Sequence, residues 1–254
     1  MNLFDLRIIQ FFDQFAQRSI HLDNLIGSIS NELIFQGGFL LAFFWWAWFR
    51  NRETQSRDRE IAISGIAASM VALVVARGLA PVLPFRIRPR YVPMLHFRVP
   101  FGSDGDSLLG WSSLPSDHAV FYFPLATSIF LISRRAGLFA YCHALFFVCL
   151  PRIYSGVHYP TDILVGALLG IGIGCISLMP MFRKSVASLP LRWLKESPSF
   201  FYPCFFLTSI LLATEFNPVR TPVVVAWRID RMGTSGGDQN QDGKQRGDRS
   251  CRVR

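Results

Sequence analysis

Three side chains that together can bind and cleave a phosphate group lie between Arg152 and Asp162. Arg152 is followed by His158 and then by Asp162, at short fixed intervals. An arginine binds phosphate oxygens, a histidine can attack phosphorus, and a carboxylate can orient the histidine ring. An apolar run begins directly afterwards, and ionisable groups beside a membrane-length segment are costly unless they have a function. This stretch therefore predicts one part of a phosphoryl-transfer site.

A second polar group lies in the long segment between residues 81 and 118. Arg86 and Arg88 come first, and Ser116 and His118 then lead into an apolar run. Ser116 is expected to cap the following helix, so that the next backbone amides form an anion site beside His118. The remaining histidines, at positions 21, 96 and 143, are expected to be ordinary interfacial side chains.

Composition indicates a polytopic membrane protein. The chain has 254 residues, of which 51 % are hydrophobic and only 17 % are charged. The formal net charge is +9, but Arg and Lys occur in short blocks beside apolar runs, as in cytoplasmic loops. This pattern argues against a nucleic-acid partner. No pair of the five cysteines has the spacing of metal ligands.

The apolar pattern predicts an all-α membrane bundle of about five to six transmembrane helices. Residues 1–30 are expected to form an amphipathic interfacial helix, 31–216 the membrane-embedded domain, and 217–254 a polar, disordered tail. The predicted spans are residues 33–49, 61–76, 119–133, 137–150, 162–181 and 200–213. Whether the last of these crosses the membrane is left open by the sequence.

Two features of the spans would position the polar groups. Gly166, Gly170 and Gly174 recur every four residues and predict a small-residue face that another helix can approach closely. The basic blocks are expected as a hairpin at 50–60, a turn at 134–135 and a connector at 183–195, and they predict a shared cytoplasmic side. Both polar groups would then lie at the opposite, extracytoplasmic face.

Three motifs in this order resemble the signature of the type 2 phosphatidic acid phosphatase superfamily. They are Arg88-Pro89, Pro115-Ser116-Asp117-His118, and Arg152-x5-His158-x3-Asp162. The resemblance runs from about residue 30 to residue 180, and the amphipathic start and tryptophan-ended first span look most like the bacterial undecaprenyl-diphosphate phosphatases.

The resemblance implies roles for each matched residue. The catalytic set is His158, which attacks phosphorus and forms a phosphohistidine, Asp162, which holds the imidazole tautomer, and His118, the general acid. Arg88, Arg152 and Ser116 would bind the phosphate oxygens. The arginines would supply the positive charge, so the resemblance implies no metal and no cofactor.

The chain departs from the family pattern at three positions. Pro81 stands where the family has a lysine, and Arg77 or, with a slight preference, Arg86 is expected to replace its charge near the phosphate. Asp117 replaces a glycine, which should weaken anion binding unless the carboxylate faces a cation. Pro151 replaces a serine before the third motif.

The resemblance implies that the reaction is hydrolysis of a polyprenyl diphosphate, undecaprenyl diphosphate, to the monophosphate. It would take place in the bacterial inner membrane, with the site facing the extracytoplasmic side. The alternative within the class is a phosphatidate or phosphatidylglycerophosphate phosphatase. A different class also stays open, namely a transporter that holds a lipid phosphate without cleaving it. The expected partners are therefore the lipid phosphate and the bilayer.

Overall fold

The structure is a computed structural model that describes residues 2–50, 52–103 and 108–213. Within these ranges it is an all-α membrane bundle without β-strands. The predicted tail at 217–254 lies outside the described residues.

The helices follow the apolar segments of the chain closely. In chain order they are α1 (Leu3–Asp13), α2 (Ile20–Asn31), α3 (Phe39–Phe49), α4 (Gln55–Leu79), α5 (Asp117–Ile132), α6 (Arg134–His143), α7 (Leu150–Tyr154), α8 (Pro160–Ser177), α9 (Pro180–Glu196) and α10 (Pro198–Ala213). A π-helical turn at Ile34–Gly38 precedes α3, and a second at Ala144–Cys149 joins α6 to α7. The described residues between α4 and α5, 80–103 and 108–116, are irregular except for two short 3₁₀ turns, Pro89–Tyr91 and Pro93–Leu95.

Three helices among the described residues are long and apolar enough to cross a bilayer: α4, the continuous helix Arg134–Tyr154, and α8. Helix α2 and residues Ile34–Phe49 form a fourth candidate if this pair, bent by 56°, counts as one span. Helices α5 and α10 are apolar but shorter than a typical span of about 20 residues. The predicted crossing by residues 200–213 therefore stays a prediction.

Helix α5 lies at the centre of the bundle, and α8 packs closely against it. All eleven residues from Ala119 to Ile129 are buried, including the polar side chains of Thr127 and Ser128. The predicted glycine face is confirmed, because a Cβ atom on Gly166 would lie 2.8 Å from the Ser116 carbonyl oxygen. A Cβ atom on Gly170 would lie 2.8 Å from the carbonyl oxygen of Val120. The two backbones approach this closely because α8 has no side chains along this face.

Two sequence expectations need correction. Residues 1–30 do not form a single helix, since the chain turns between α1 and α2 at residues 14–19 and Gln17 adopts a positive φ of 62°. The basic segment at 183–195, expected as a connector, is part of helix α9. Its Arg183 Nε lies 3.1 Å from Glu60 Oε2 on α4, so this part of α9 is anchored on the bundle.

We expect Gly170→Ala to destabilise the protein, because its new methyl group would press on the backbone of α5. Overpacking of this kind costs about 1–3 kcal/mol. Gly172 on the same helix is the matched control, since a Cβ atom there has no neighbour within 4 Å. Thermal unfolding in detergent should show a lower midpoint for Gly170→Ala than for Gly172→Ala. Equal midpoints would contradict the close contact between α5 and α8.

Candidate active site

Two histidine rings from distant parts of the chain face each other at one end of α5 and α8. His118 lies in the first turn of α5, and His158 lies directly before α8. Their ring centroids are 6.5 Å apart, with an angle of 67° between the planes. Two ionisable rings this close, at the starts of two adjacent helices, form a candidate centre for acid–base and nucleophilic chemistry.

The tautomer of His158 is set by a backbone carbonyl. His158 is buried, and its Nδ1 lies 2.9 Å from the carbonyl oxygen of Ser113. A carbonyl oxygen can only accept, so Nδ1 carries the proton and Nε2 keeps its lone pair. Asp162, expected to hold the tautomer, has its Oδ2 3.8 Å from Nδ1, which is an ion-pair distance. Its nearer donor is the Tyr159 amide, at 2.8 Å.

Burial keeps the His158 ring neutral. Loss of solvent lowers the pKa of His158 below its ordinary value, and the charge of Arg88 acts in the same direction. Asp162 and Asp117 raise the pKa but do not outweigh burial. Neutral imidazole is the form that can act as a nucleophile.

Arg88 and two serines leave buried polar atoms around the histidines without a hydrogen-bond partner. Arg88 donates through Nη1 to the Val157 carbonyl at 2.9 Å and through Nη2 to the Ser112 carbonyl at 3.2 Å. The atoms without a partner among the described residues include Arg88 Nε, Ser113 Oγ and Ser116 Oγ. Buried donors are rarely left unsatisfied, so this group indicates a position for the oxygens of an anion.

Backbone hydrogen bonds hold the three sequence motifs in one unit. The Arg90 amide donates to the Gly156 carbonyl at 3.0 Å, and the Ser116 amide donates to the Asp162 carbonyl at 3.2 Å. Ser116 occupies the N-cap position of α5, as predicted, although its hydroxyl makes no capping hydrogen bond. The loop and the start of α8 are therefore fixed relative to α5.

Arg152 anchors the third motif on the N-terminal part of the chain. Its Nη2 donates to the Ser30 carbonyl at the end of α2, at 3.1 Å. Its own carbonyl accepts from the amides of Val157 and His158, at 2.9 Å and 3.3 Å. These two bonds close the turn that leads to His158.

Arg86 is paired with two carboxylates. Its Nη1 lies 2.5 Å from Asp162 Oδ1, and its Nη2 lies 2.6 Å from Asp5 Oδ2 on α1. The guanidinium also stacks over the ring of Tyr159, at 3.8 Å from the centroid. Arg86 was the preferred replacement for the missing lysine near the phosphate, but the structure places it beside the carboxylates that flank the start of α8.

Arg77 neutralises the carboxylate that replaces the family glycine. Arg77 Nη2 lies 2.5 Å from Asp117 Oδ2, and the guanidinium stacks over the Trp111 ring at 5.2 Å. The condition stated for Asp117, that it faces a cation, is therefore met. Arg77 was the other candidate to replace the charge of the missing lysine near the phosphate, and the structure pairs it with this carboxylate.

The sequence interpretation did not identify two residues that contribute to this region, and it assigned one histidine to the wrong environment. Asp5 lay in a segment interpreted as interfacial, and Ser113 contributes through its backbone, which no motif reveals. His143 was expected at the interface. It is buried instead, against the rings of Phe39, Phe139 and Phe147.

We expect Arg77→Ala to weaken binding of inorganic phosphate by roughly tenfold, because it exposes the anion to the uncompensated charge of Asp117. The double variant Arg77→Ala/Asp117→Gly should recover most of this loss. The dissociation constants follow from the thermal shift of the purified protein at increasing phosphate concentration. A double variant as weak as the single one would show that Arg77 contacts the phosphate directly.

Comparisons with known proteins find similarity over the region that contains this site. The model of the PAP2 superfamily matches residues 61–185, which include His118, His158 and Asp162. A curated protein of Bacillus licheniformis, described as bacitracin transport permease protein BcrC, is 43 % identical over 60 residues. That alignment covers 24 % of this chain and 29 % of the relative, so the match extends over less than a third of the relative's length. No solved structure matches the chain.

Proposed function

This chain belongs to the PAP2 superfamily through residues 61–185, and from this premise we propose that it is an integral membrane lipid phosphatase. The proposed reaction is hydrolysis of undecaprenyl diphosphate to undecaprenyl phosphate through a phosphohistidine. The single observation that carries the proposal is the pair of facing rings, His118 and His158, beside buried donors that lack partners.

The first step forms the phosphohistidine. The lone pair on His158 Nε2 attacks the terminal phosphorus, and the bond from phosphorus to the bridging oxygen breaks. His118 donates a proton to that oxygen, so the lipid monophosphate leaves without a high-energy anion. Asp162 stabilises the imidazolium that results, from a distance of 3.8 Å.

The second step regenerates the enzyme. Water attacks phosphorus, the phosphorus–nitrogen bond breaks, and His118, now deprotonated, accepts the proton of the water. Inorganic phosphate leaves, and the electron pair returns to His158 Nε2. Arg88, Arg152 and Ser116 are proposed to bind the phosphate oxygens in both steps, and the positive charge of the two arginines would make a metal ion unnecessary.

Charge distribution supports the proposed location and substrate. The positions of the Arg and Lys blocks support a location of the histidines on the extracytoplasmic side, and we propose the bacterial inner membrane as the site of action. A lipid headgroup at the bilayer surface would reach a site at the end of α5 and α8. Phosphatidate and phosphatidylglycerophosphate present the same terminal phosphate, so they form the alternative within the class.

A second candidate is a protein that holds or moves a lipid phosphate without cleaving it. The description of the Bacillus licheniformis relative as a transport permease favours this candidate. Binding alone requires the arginines but gives no role to a buried neutral histidine with a second ring 6.5 Å away. Hydrolysis uses both rings, and for this reason we prefer it.

Hydrolysis is tested directly by phosphate release from a polyprenyl diphosphate by the purified protein in detergent with EDTA present. We expect the activity of His158→Ala to be lower than that of the wild type by a factor on the order of 1,000 or more, as when the nucleophile of other enzymes is removed. The reason is that no other group forms the intermediate. His21→Ala is the matched control and should retain full activity.

Parallel assays with phosphatidate and phosphatidylglycerophosphate rank the alternative substrates. Undiminished release by His158→Ala would disprove the nucleophile, and loss of activity with EDTA would disprove a metal-free reaction. Binding of the lipid without any release would instead support the transport candidate.

A further inference from the structure

Asp5 is a fully buried carboxylate that the proposed reaction does not use. It lies in the first turn of α1 with no exposed surface, far in sequence from the three motifs. A buried charge is costly unless it is paired and hydrogen-bonded. Every contact that compensates Asp5 belongs to residues beside the candidate active site.

The contacts of Asp5 connect α1 to the start of α8 and to the arginine loop. Oδ1 accepts from the Thr161 amide at 2.9 Å, and Oδ2 accepts from the Thr161 hydroxyl at 2.7 Å. Oδ2 also accepts from Arg86 Nη2 at 2.6 Å. Asp5 therefore binds a free amide of the first turn of α8 and one half of the Arg86 guanidinium.

The other half of that guanidinium acts on Asp162. Arg86 Nη1 donates to Asp162 Oδ1 at 2.5 Å and to the Thr161 hydroxyl at 2.7 Å. The opposite oxygen of Asp162, Oδ2, is the one at 3.8 Å from His158 Nδ1. A continuous series of charged contacts thus runs from Asp5 through Arg86 and Asp162 to the nucleophile of the proposed reaction.

We infer that Asp5 is a positioning residue for this reaction: through Arg86 it sets how strongly the Asp162 carboxylate acts on the His158 ring. The inference rests on the proposed function only where it refers to turnover. Arg86 divides its charge between two carboxylates while Asp5 is present. Without Asp5 the guanidinium would act on Asp162 alone, and Asp162 would stabilise an imidazolium less.

The inference predicts opposite effects for the two partners. Asp5→Asn removes a negative charge and directs Arg86 onto Asp162, so protonated His158 should become less stable and its titration midpoint should fall. Arg86→Gln removes the positive charge beside Asp162, so the midpoint should rise. Each shift should be roughly half a pH unit or more for a charge within several ångströms in a partly buried site.

Other charges face His158 and stay constant in these variants. They are Arg88 on the loop, Asp117 and His118 on α5, and Asp162 on α8. Asp13→Asn is the matched control, because Asp13 also lies on α1 and also binds the loop. It accepts from the Arg98 amide at 2.7 Å, but its side chain has no contact with Asp162 or Arg86.

The test is a nuclear magnetic resonance titration of ¹⁵N-histidine-labelled protein in detergent, with the His158 signals assigned by their loss in His158→Asn. We expect a lower midpoint for Asp5→Asn, a higher one for Arg86→Gln, and the wild-type value for Asp13→Asn. Unchanged midpoints, or shifts of both partners in the same direction, would show that Asp5 serves stability alone and would overturn the inference.

The double variant Asp5→Asn/Arg86→Gln removes both charges together and decides the question if Asp5→Asn does not fold. Because Asp5 acts through Arg86, the midpoint of the double variant should equal that of Arg86→Gln. A midpoint below that of Arg86→Gln would show that Asp5 acts on His158 directly and would overturn the inference. In phosphate-release assays Asp5→Asn should lower kcat with KM within about twofold of wild type, because Asp5 touches no substrate oxygen. If the wild-type protein releases no phosphate, the proposed function is disproved. The titration would still test the effect of Asp5 on His158.

Discussion

Charged side chains that are removed from water must be paired, and this constraint determines the structure around the candidate active site. Arg77, Arg86 and Arg88 lie in one loop region or beside it, next to helices that are largely apolar. Each guanidinium is held by carboxylates or carbonyl oxygens, since an unpaired charge there would cost several kcal/mol. Because the partners come from α1, α5 and α8, the pairing also determines how these helices meet.

Close packing of α5 and α8 determines the positions of the two histidine rings of the candidate site. The glycine face of α8 lets its backbone approach that of α5, and the first turns of both helices lie side by side. His118 belongs to one of these turns, and His158 directly precedes the other. A bulkier face would move α8 away from α5 and separate the two rings, so the geometry of the candidate site depends on the glycines of α8.

The sequence predicts the fold and the meeting of the motifs because both follow from local patterns. The apolar runs anticipate helices such as α4 and α8, and the charge blocks place both polar groups on one face. Two predictions were wrong for a physical reason. Residues 1–30 are amphipathic, and residues 183–195 are basic. Each composition is compatible both with an element at the surface and with a helix packed on the bundle, so composition alone does not distinguish the two.

The ion pairs within the site were harder to predict from the sequence, because they depend on tertiary contacts. Arg86 and Arg77 were both considered as replacements for a missing lysine, since each lies near the expected position. Nothing local shows that Asp5, 81 residues before Arg86, would bind it. The ion pair between Arg77 and Asp117 was not predicted as such. The sequence indicated only that the Asp117 carboxylate should face some cation if anion binding is not to be weakened.

The observed partners of His158 divide two tasks that the family resemblance assigns to one carboxylate. The Ser113 carbonyl accepts the Nδ1 proton when the ring is neutral, and it could accept the same proton in the proposed intermediate, in which Nε2 is bonded to phosphorus. No reorientation is needed as the ring becomes cationic, which is the condition for effective electrostatic stabilisation. A carbonyl carries no net charge, however, and stabilises an imidazolium only weakly. Asp162 supplies that charge at 3.8 Å, and Arg86 limits it. The tautomer and the charge of His158, the proposed nucleophile, are therefore controlled by different groups, and each can change without loss of the other.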